Sequence, residues 1–442
     1  MKCKSERVKK YIVYSSVLSL AAVLLFIYIY HRITQPVVLE FGVFAGSNWD
    51  VPNGKSYEIT DEAIANFEAL HPGVKIKYRC GTLKSDYSEW LAQKIIQGKE
   101  PDVFCILAED FNTLSALGIL ENLDTLIKSD SEFDISKMYV NAIKSGQFQG
   151  SQYALPREVV PVLMNVNETL LRKEGIPVPK ADWTWDDFYN ICRKVTRDVN
   201  GDGILDQFGV VGFNWQDAVY TNGQQLFDAN GTKAMFDKPG VLEAIRFVSK
   251  LNQLNANRRV TMDDFDDGHV AFRPFPFSSY LTYKTYPYRL IHYAQFNWEC
   301  IPLPRGPHGK NASALHSLLI GISSRSKHPK EAWEFLKFLT FNRGCQLSVF
   351  KYSPAVPVLR EVTESKAADQ ELAGDNPYEA LSVDKKVLSQ VIEESTVTPR
   401  FHKYEEAMNM ADKEIFRFIN EDMDIEDAMS KLNNDLTKFL QQ

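Results

Sequence analysis

Gly150-Ser-Gln-Tyr-Ala-Leu-Pro-Arg-Glu158, then Val159-Val-Pro-Val-Leu-Met-Asn165 and, further on, Trp183-Thr-Trp-Asp-Asp-Phe188, form the stretch from which the chain can be laid out. Gly150 supplies a turn, and Tyr153, Leu155 and Pro156 read as extended, because a residue preceding proline avoids the helical region. Val159, Val160, Val162, Leu163 and Met164 make an apolar run of strand length, with Pro161 inside it and Asn165 after it. Thr184 precedes Trp185-Asp186-Asp187-Phe188, an N-cap with acids in the first helical turn. A turn, an extended crossing, a buried strand and a capped helix suit a chain that leaves one lobe and starts another.

Upstream, the apolar segments Val37–Phe44, Val74–Tyr78 and Pro101–Leu107 alternate with helical spacings at Asp61–Leu70, Tyr87–Ile95 and Phe111–Leu117. This β-α-β alternation predicts a parallel sheet covered by helices, hence an α/β fold. Ligands of such sheets bind beyond the carboxyl ends of the strands, where Trp49, Glu109 and Asp110 stand. Downstream, the pattern predicts helices over 186–196 and 239–254, strands at Asn297–Ile301 and Ser317–Ser323, a helix opened by Pro329, and a helical C-terminus.

The chain has 442 residues, 44% of them hydrophobic and 24% charged, enough for two or three domain-sized units. Its net charge of −7 provides no basic footprint, so nucleic acid is excluded as a partner. Lys2, Lys4, Arg7, Lys9 and Lys10 precede Tyr11–Tyr30, 20 residues without a charge and long enough to span a bilayer. Basic residues stay cytoplasmic, which puts the large C-terminal part outside the cell membrane. A cleaved signal peptide is the competing reading, but His31-Arg32-Ile33-Thr34 is a poor small-residue cleavage site. No cysteine follows the apolar run as a lipoprotein signal requires. The expectation is a basic stub, an uncleaved helix at 11–30 and a tether, together residues 1–36. Cys80, Cys105, Cys192, Cys300 and Cys345 are widely spaced without a CxxC, and read as buried thiols.

Several blocks resemble, in the family's own order, the bacterial extracellular solute-binding proteins of the maltose-binding (family 1) type, receptors of ABC importers. They are Pro101-Asp-Val103 with Leu117-Gly-Ile-Leu120; Tyr153-Ala-Leu-Pro156 with Met164-Asn165; Trp185-Asp-Asp-Phe188; Gly231-Thr-Lys-Ala234; Pro302-Leu-Pro304; and Ser324-Arg-Ser-Lys-His-Pro-Lys-Glu-Ala-Trp333. No block is specific alone; their joint order is. The resemblance implies a two-lobed periplasmic-binding-protein-like fold of type II, with ligand held between the lobes and permease subunits as partners. On this reading 37–154 plus 303–343 form the first lobe and 157–300 plus 347–442 the second. The absence of a lipoprotein signal departs from the common pattern.

The loop aromatics Trp49, Trp215, Tyr220, Tyr280 and Tyr352 are candidates for stacking on a sugar, each with core packing as the alternative. Glu109, Asp110 and Glu158 offer acceptors for hydroxyls, and Arg157 can clamp a carboxylate. Asp198-x-Asn200-x-Asp202-Gly203-x-x-Asp206 has calcium-loop spacing, with the Ile204 carbonyl as a further ligand, but Gly209 stands where a bidentate glutamate belongs. Two readings remain there: a structural calcium ion, or a turn with solvated acids. No other cofactor is required. No nucleophile elbow, Walker loop or HExxH is present, so the expectation is a receptor for a carbohydrate, most simply an oligosaccharide, rather than an enzyme. The alternatives are a receptor for a peptide, polyamine or organic acid, a glycoside hydrolase using paired carboxylates, and a ligand sensor.

Overall fold

Val74 and Ile76 alternate with Lys75 and Lys77, and only the apolar pair is buried. That period-2 segment is the edge of the first sheet. The computed structural model describes residues 36–49, 56–79, 81–256, 258–284, 296–373, 383–397, 401, 403–420 and 424–442. Strands β1 (Val37–Gly42), β2 (Val74–Tyr78) and β3 (Val103–Ile106) run parallel in the order β2-β1-β3. Helices Ser56–Leu70 and Lys84–Ile96 connect them, and Gly98 at φ 65° stops the second. A hairpin follows, β4 (Gln147–Phe148) and β5 (Ser151–Gln152), turning through Gln149 and Gly150 at φ 49° and 83°.

The opening stretch is one strand, β6 (Ala154–Asn167), 14 residues long and buried throughout except at the half-buried Val162. The later strands are β7 (Phe208–Val210), β8 (Val270–Pro276), β9 (Trp298–Ile301), β10 (Leu315–Ile322) and β11 (Val356–Pro357). β10 lies antiparallel between β3 and the first half of β6. The second half of β6 pairs with β8 and β9, and β7 runs parallel to β8. One strand therefore belongs to the sheets of both lobes. The hand-over falls at Pro161/Val162, later than the 154/157 boundary read from the sequence, because Ala154–Pro161 is still paired with β10. Pro161 has no N–H to give, and the Val162 N–H is taken by Ser313 Oγ at 3.0 Å. Leu318 faces Glu158 and Leu319 faces Pro156, so Arg157 is the extra residue of a β-bulge.

Helix Trp185–Val195 begins as its sequence predicts: Thr184 and Asp187 exchange a capping box, and Trp185, Phe188, Cys192 and Val195 share the buried face. They enter a second apolar core that also holds Ile415, Phe418, Met429, Leu432 and Leu436 of the two C-terminal helices. Residues 347–442, drawn in the sequence as one part of the second lobe, divide between cores. Val349 to Ile392 pack in the first, and Phe401 onward in the second. Cys105, Cys192, Cys300 and Cys345 are buried thiols, and burial pushes Cys105 up to about 12 and Cys345 to about 11. Among the described residues no helix is long and apolar enough to cross a membrane; the expected 11–30 span and Cys80 lie outside them.

Candidate functional site

Between the lobes opens a cleft of about 1040 Å³. Its floor is the strand pair that joins them, Val160 of β6 with Leu315, His316, Ser317 and Leu319 of β10. One wall comes from the ends of the parallel strands: Trp49 after β1, Glu109 and Phe111 after β3, and Phe148 of the β4–β5 hairpin. The other carries Phe227, Asp228 and Asn230 of a turn, Met235, and Glu405 at the start of helix Tyr404–Asn420. The turn is held by Asp228, whose Oδ1 accepts the N–H groups of Thr232 and Lys233, both at 2.7 Å. Burial pulls that carboxyl upward, but these bonds hold it below the ordinary range. Lys84 Nζ donates to the Asn48 carbonyl at 2.5 Å and so pins the loop that presents Trp49.

Of the residues expected at the site, Trp49 and Glu109 line the cleft. Asp110 is turned aside: it accepts Ser88 Oγ at 2.6 Å ahead of helix Phe111–Ala116. Arg157 and Glu158 are 3% and 4% exposed and line a smaller cavity of about 40 Å³ with Ser47, Thr60 and Ser353. Among the described residues Arg157 Nε and Nη2 have no hydrogen-bond partner. Glu158 Oε1 accepts Trp49 Nε1–H and Ser353 Oγ–H, each at 2.9 Å. Burial raises the Glu158 pKa, opposed by Arg157, Ser353 and Trp49.

The remaining aromatics correct the sequence reading, since none lines the cleft. Trp215 opens a helix, Trp215–Thr221, capped by Asn214, and its Nε1–H goes to Asp412 at 2.7 Å. Tyr220 lies on the same helix, and both are buried in the second core. Tyr280 is 0% exposed, stacked on Phe277 and edge-on to Trp298. Tyr352 ends helix Arg343–Tyr352 with the Lys351 ammonium 4.4 Å from its ring centroid. Sequence reasoning missed Phe148, Phe227, Asn230 and Glu405. The available signal was turn chemistry, Gly150 beside Phe148 and Asn230-Gly231 beside Phe227.

In the Asp198–Asp206 loop the side chains serve the loop's own backbone. Asp198 accepts from the N–H of Gly201 and Gly203, Asn200 from Asp202, Asp202 from Ile204, and Asp206 from Val199. The bond from Gly203 above all holds Asp198 below the usual carboxylate range. Among the described residues no three His, Cys, Asp or Glu side chains gather as metal ligands.

The family model for the bacterial extracellular solute-binding protein matches residues 52–344. An uncharacterized lipoprotein of Streptomyces antibioticus, from the oleD 5′ region, is 25% identical over 332 residues, 69% of this chain and 67% of that protein. The sugar-binding protein MalE of Xanthomonas citri has a similar backbone, with a TM-score of 0.74 at 16% identity over 91% of this chain and 97% of that one. The cyclic alpha-maltosyl-1,6-maltose binding protein of Arthrobacter globiformis also gives 0.74 at 16% identity, over 92% and 99%. Two lobes sharing one strand, a cleft where they meet, and a family model matched along most of the chain lead to one conclusion: the chain belongs to the bacterial extracellular solute-binding proteins.

Proposed function

We propose that this protein is the receptor of an ABC importer and that it takes up an oligosaccharide in the interlobe cleft. The observation that carries the reading is the lining. The half-buried rings of Trp49 and Phe148 stand among Glu109, Asn112, Asp228 and Asn230 in a cavity of about 1040 Å³, with the buried Phe111 and Phe227 completing its apolar lining. Apolar ring faces for the faces of a sugar, and directional oxygens and amides for its hydroxyls, are what such a ligand needs. That volume is at the upper end of ordinary small-molecule sites. The two structural relatives described above bind sugars by name, which supports the class and leaves the individual sugar open. Lys84 and Lys144 share the lining with Glu109, Asp228 and Glu405, a mixed field that a polyamine site has no use for.

On this reading the apolar segment 11–30 holds the receptor at the outer face of the cell membrane, where a permease collects the ligand. A thermal-shift screen of neutral oligosaccharides, uronates, peptides and polyamines tests the ligand class, and stabilisation by sugars alone is the expected result. Stabilisation by a polyamine or peptide and by no sugar overturns it. Trp49→Ala should weaken sugar binding by about 1–2 kcal/mol, read by calorimetry.

A further inference from the structure

The Trp49 indole is held from below. Its Nε1–H donates to Glu158 Oε1 at 2.9 Å, and its backbone N–H donates to Ser47 Oγ at 3.0 Å. The ring is half-buried on the cleft wall, whereas Glu158 is 4% exposed and outside the cleft lining. A buried carboxyl is costly, and an apolar side chain fills such a place at lower cost unless the carboxyl's directionality matters. Here every contact of Oε1 is directional. It takes the indole N–H and the Ser353 hydroxyl, so one oxygen ties the cleft loop, β6 and the segment following helix Arg343–Tyr352. The bulge at Arg157 sets this up. It breaks the strict alternation of β6, and both Arg157 and Glu158 reach the small cavity beneath the Trp49 loop.

We infer that Glu158 is a positioning residue for ligand binding: its Oε1 fixes the angle at which the Trp49 ring meets a bound sugar, and it occupies the indole N–H so that the ligand is read by the ring face alone. The inference rests on the sugar-stacking reading of the cleft and goes beyond it, because it assigns specificity to a residue that the ligand does not touch. A freed indole N–H becomes a donor toward the cleft and admits ligands that offer an acceptor there. A tethered one does not.

The test uses the full chain in four forms, wild type, Glu158→Met, Glu158→Gln and Trp49→Ala. Nitrogen-edited NMR of the indole N–H groups identifies the Trp49 signal by its loss in Trp49→Ala. Glu158→Met should shift that signal and speed its exchange with solvent, and Glu158→Gln, which keeps an acceptor oxygen, should restore both. Calorimetric titration with maltotriose and the other neutral oligosaccharides of the screen should show about five- to tenfold weaker binding in Glu158→Met and recovery to within about twofold in Glu158→Gln. An unchanged Trp49 signal in a folded Glu158→Met protein overturns the tether. A changed signal with unchanged affinity, where Trp49→Ala loses affinity, overturns the positioning role. If Trp49→Ala binds as wild type does, or no sugar binds wild type, the stacking reading itself has failed and the positioning role falls with it.

Discussion

Two tryptophans that look alike in the sequence have opposite fates, and Asn214 decides one of them. Its side chain accepts the Asp217 N–H and makes Trp215 the first residue of a helix instead of a loop residue, which turns the ring into the second core. Trp215→Ala should therefore lower unfolding free energy by roughly 3–5 kcal/mol in denaturant titration. Ligand affinity in the remaining folded protein should stay as in wild type. Trp49→Ala should instead lower ligand affinity, with a smaller stability loss from the half-buried ring and its bond to Glu158. Glu158 adds a pH dependence. Its folded-state pKa lies above the ordinary value of 4.5, with burial the main cause, so it favours the folded state most at low pH. That contribution is lost as pH rises from the ordinary carboxylate range through the raised value. The groups facing it are Arg157, Trp49 and Ser353, of which only Arg157 is charged. Glu158→Gln should flatten this part of the stability–pH curve, measured by urea unfolding at several pH values between about 4 and 7.

At the level of elements, local signals were read well where one element satisfied itself. Thr184 and Asp187 cap their helix with each other, and Gly98 ends another at positive φ, so composition and position suffice. The long strand was harder. The sequence boundary was drawn at 154/157, around Pro156, but β10 pairs straight through Pro156 and on to Pro161, and Ser313 takes the N–H left at the switch. The bulge that brings Arg157 and Glu158 to one cavity has no local signature. It exists because β10 arrives from a remote part of the chain. The Asp198–Asp206 loop closes on its own N–H groups, and its calcium reading is decided by linkage. If calcium binds the folded loop, the melting temperature in millimolar calcium should exceed that in chelator, with Asp198→Ala abolishing the difference. Equal temperatures leave a turn with solvated acids.

For the whole molecule, two α/β lobes were legible because the blocks stood in a family's order and because β-α-β alternation predicts a parallel sheet. The cleft residues were legible only where they follow a strand of that sheet, as Trp49 and Glu109 do. Phe148, Phe227 and Glu405 come from a hairpin, a turn and a helix start, which only tertiary packing brings together. Because the lobes share β6 and change partner strands at its middle, bending there would break neither sheet, and closure of the cleft on its ligand is the expected consequence. Addition of a ligand that stabilises the protein should reduce the radius of gyration in solution scattering, because the closed form buries it from both walls. An unchanged radius of gyration in the presence of saturating ligand counts against closure.

The place of β10 between β3 and β6 bears on the order in which the molecule comes into being. Ile106 pairs with Leu319, and Ala154 with Gly321, so the first sheet lacks an interior strand until the chain has been made almost to Ser323. During synthesis from the N-terminus, β3 keeps one bare edge beside β1, and the first half of β6 has no partner strand for a long interval. Contacts this distant along the chain slow folding. Until the chain reaches Ser323 those bare edges can pair with a second copy as readily as with their own strand, so the nascent protein is open to self-association for the same long interval.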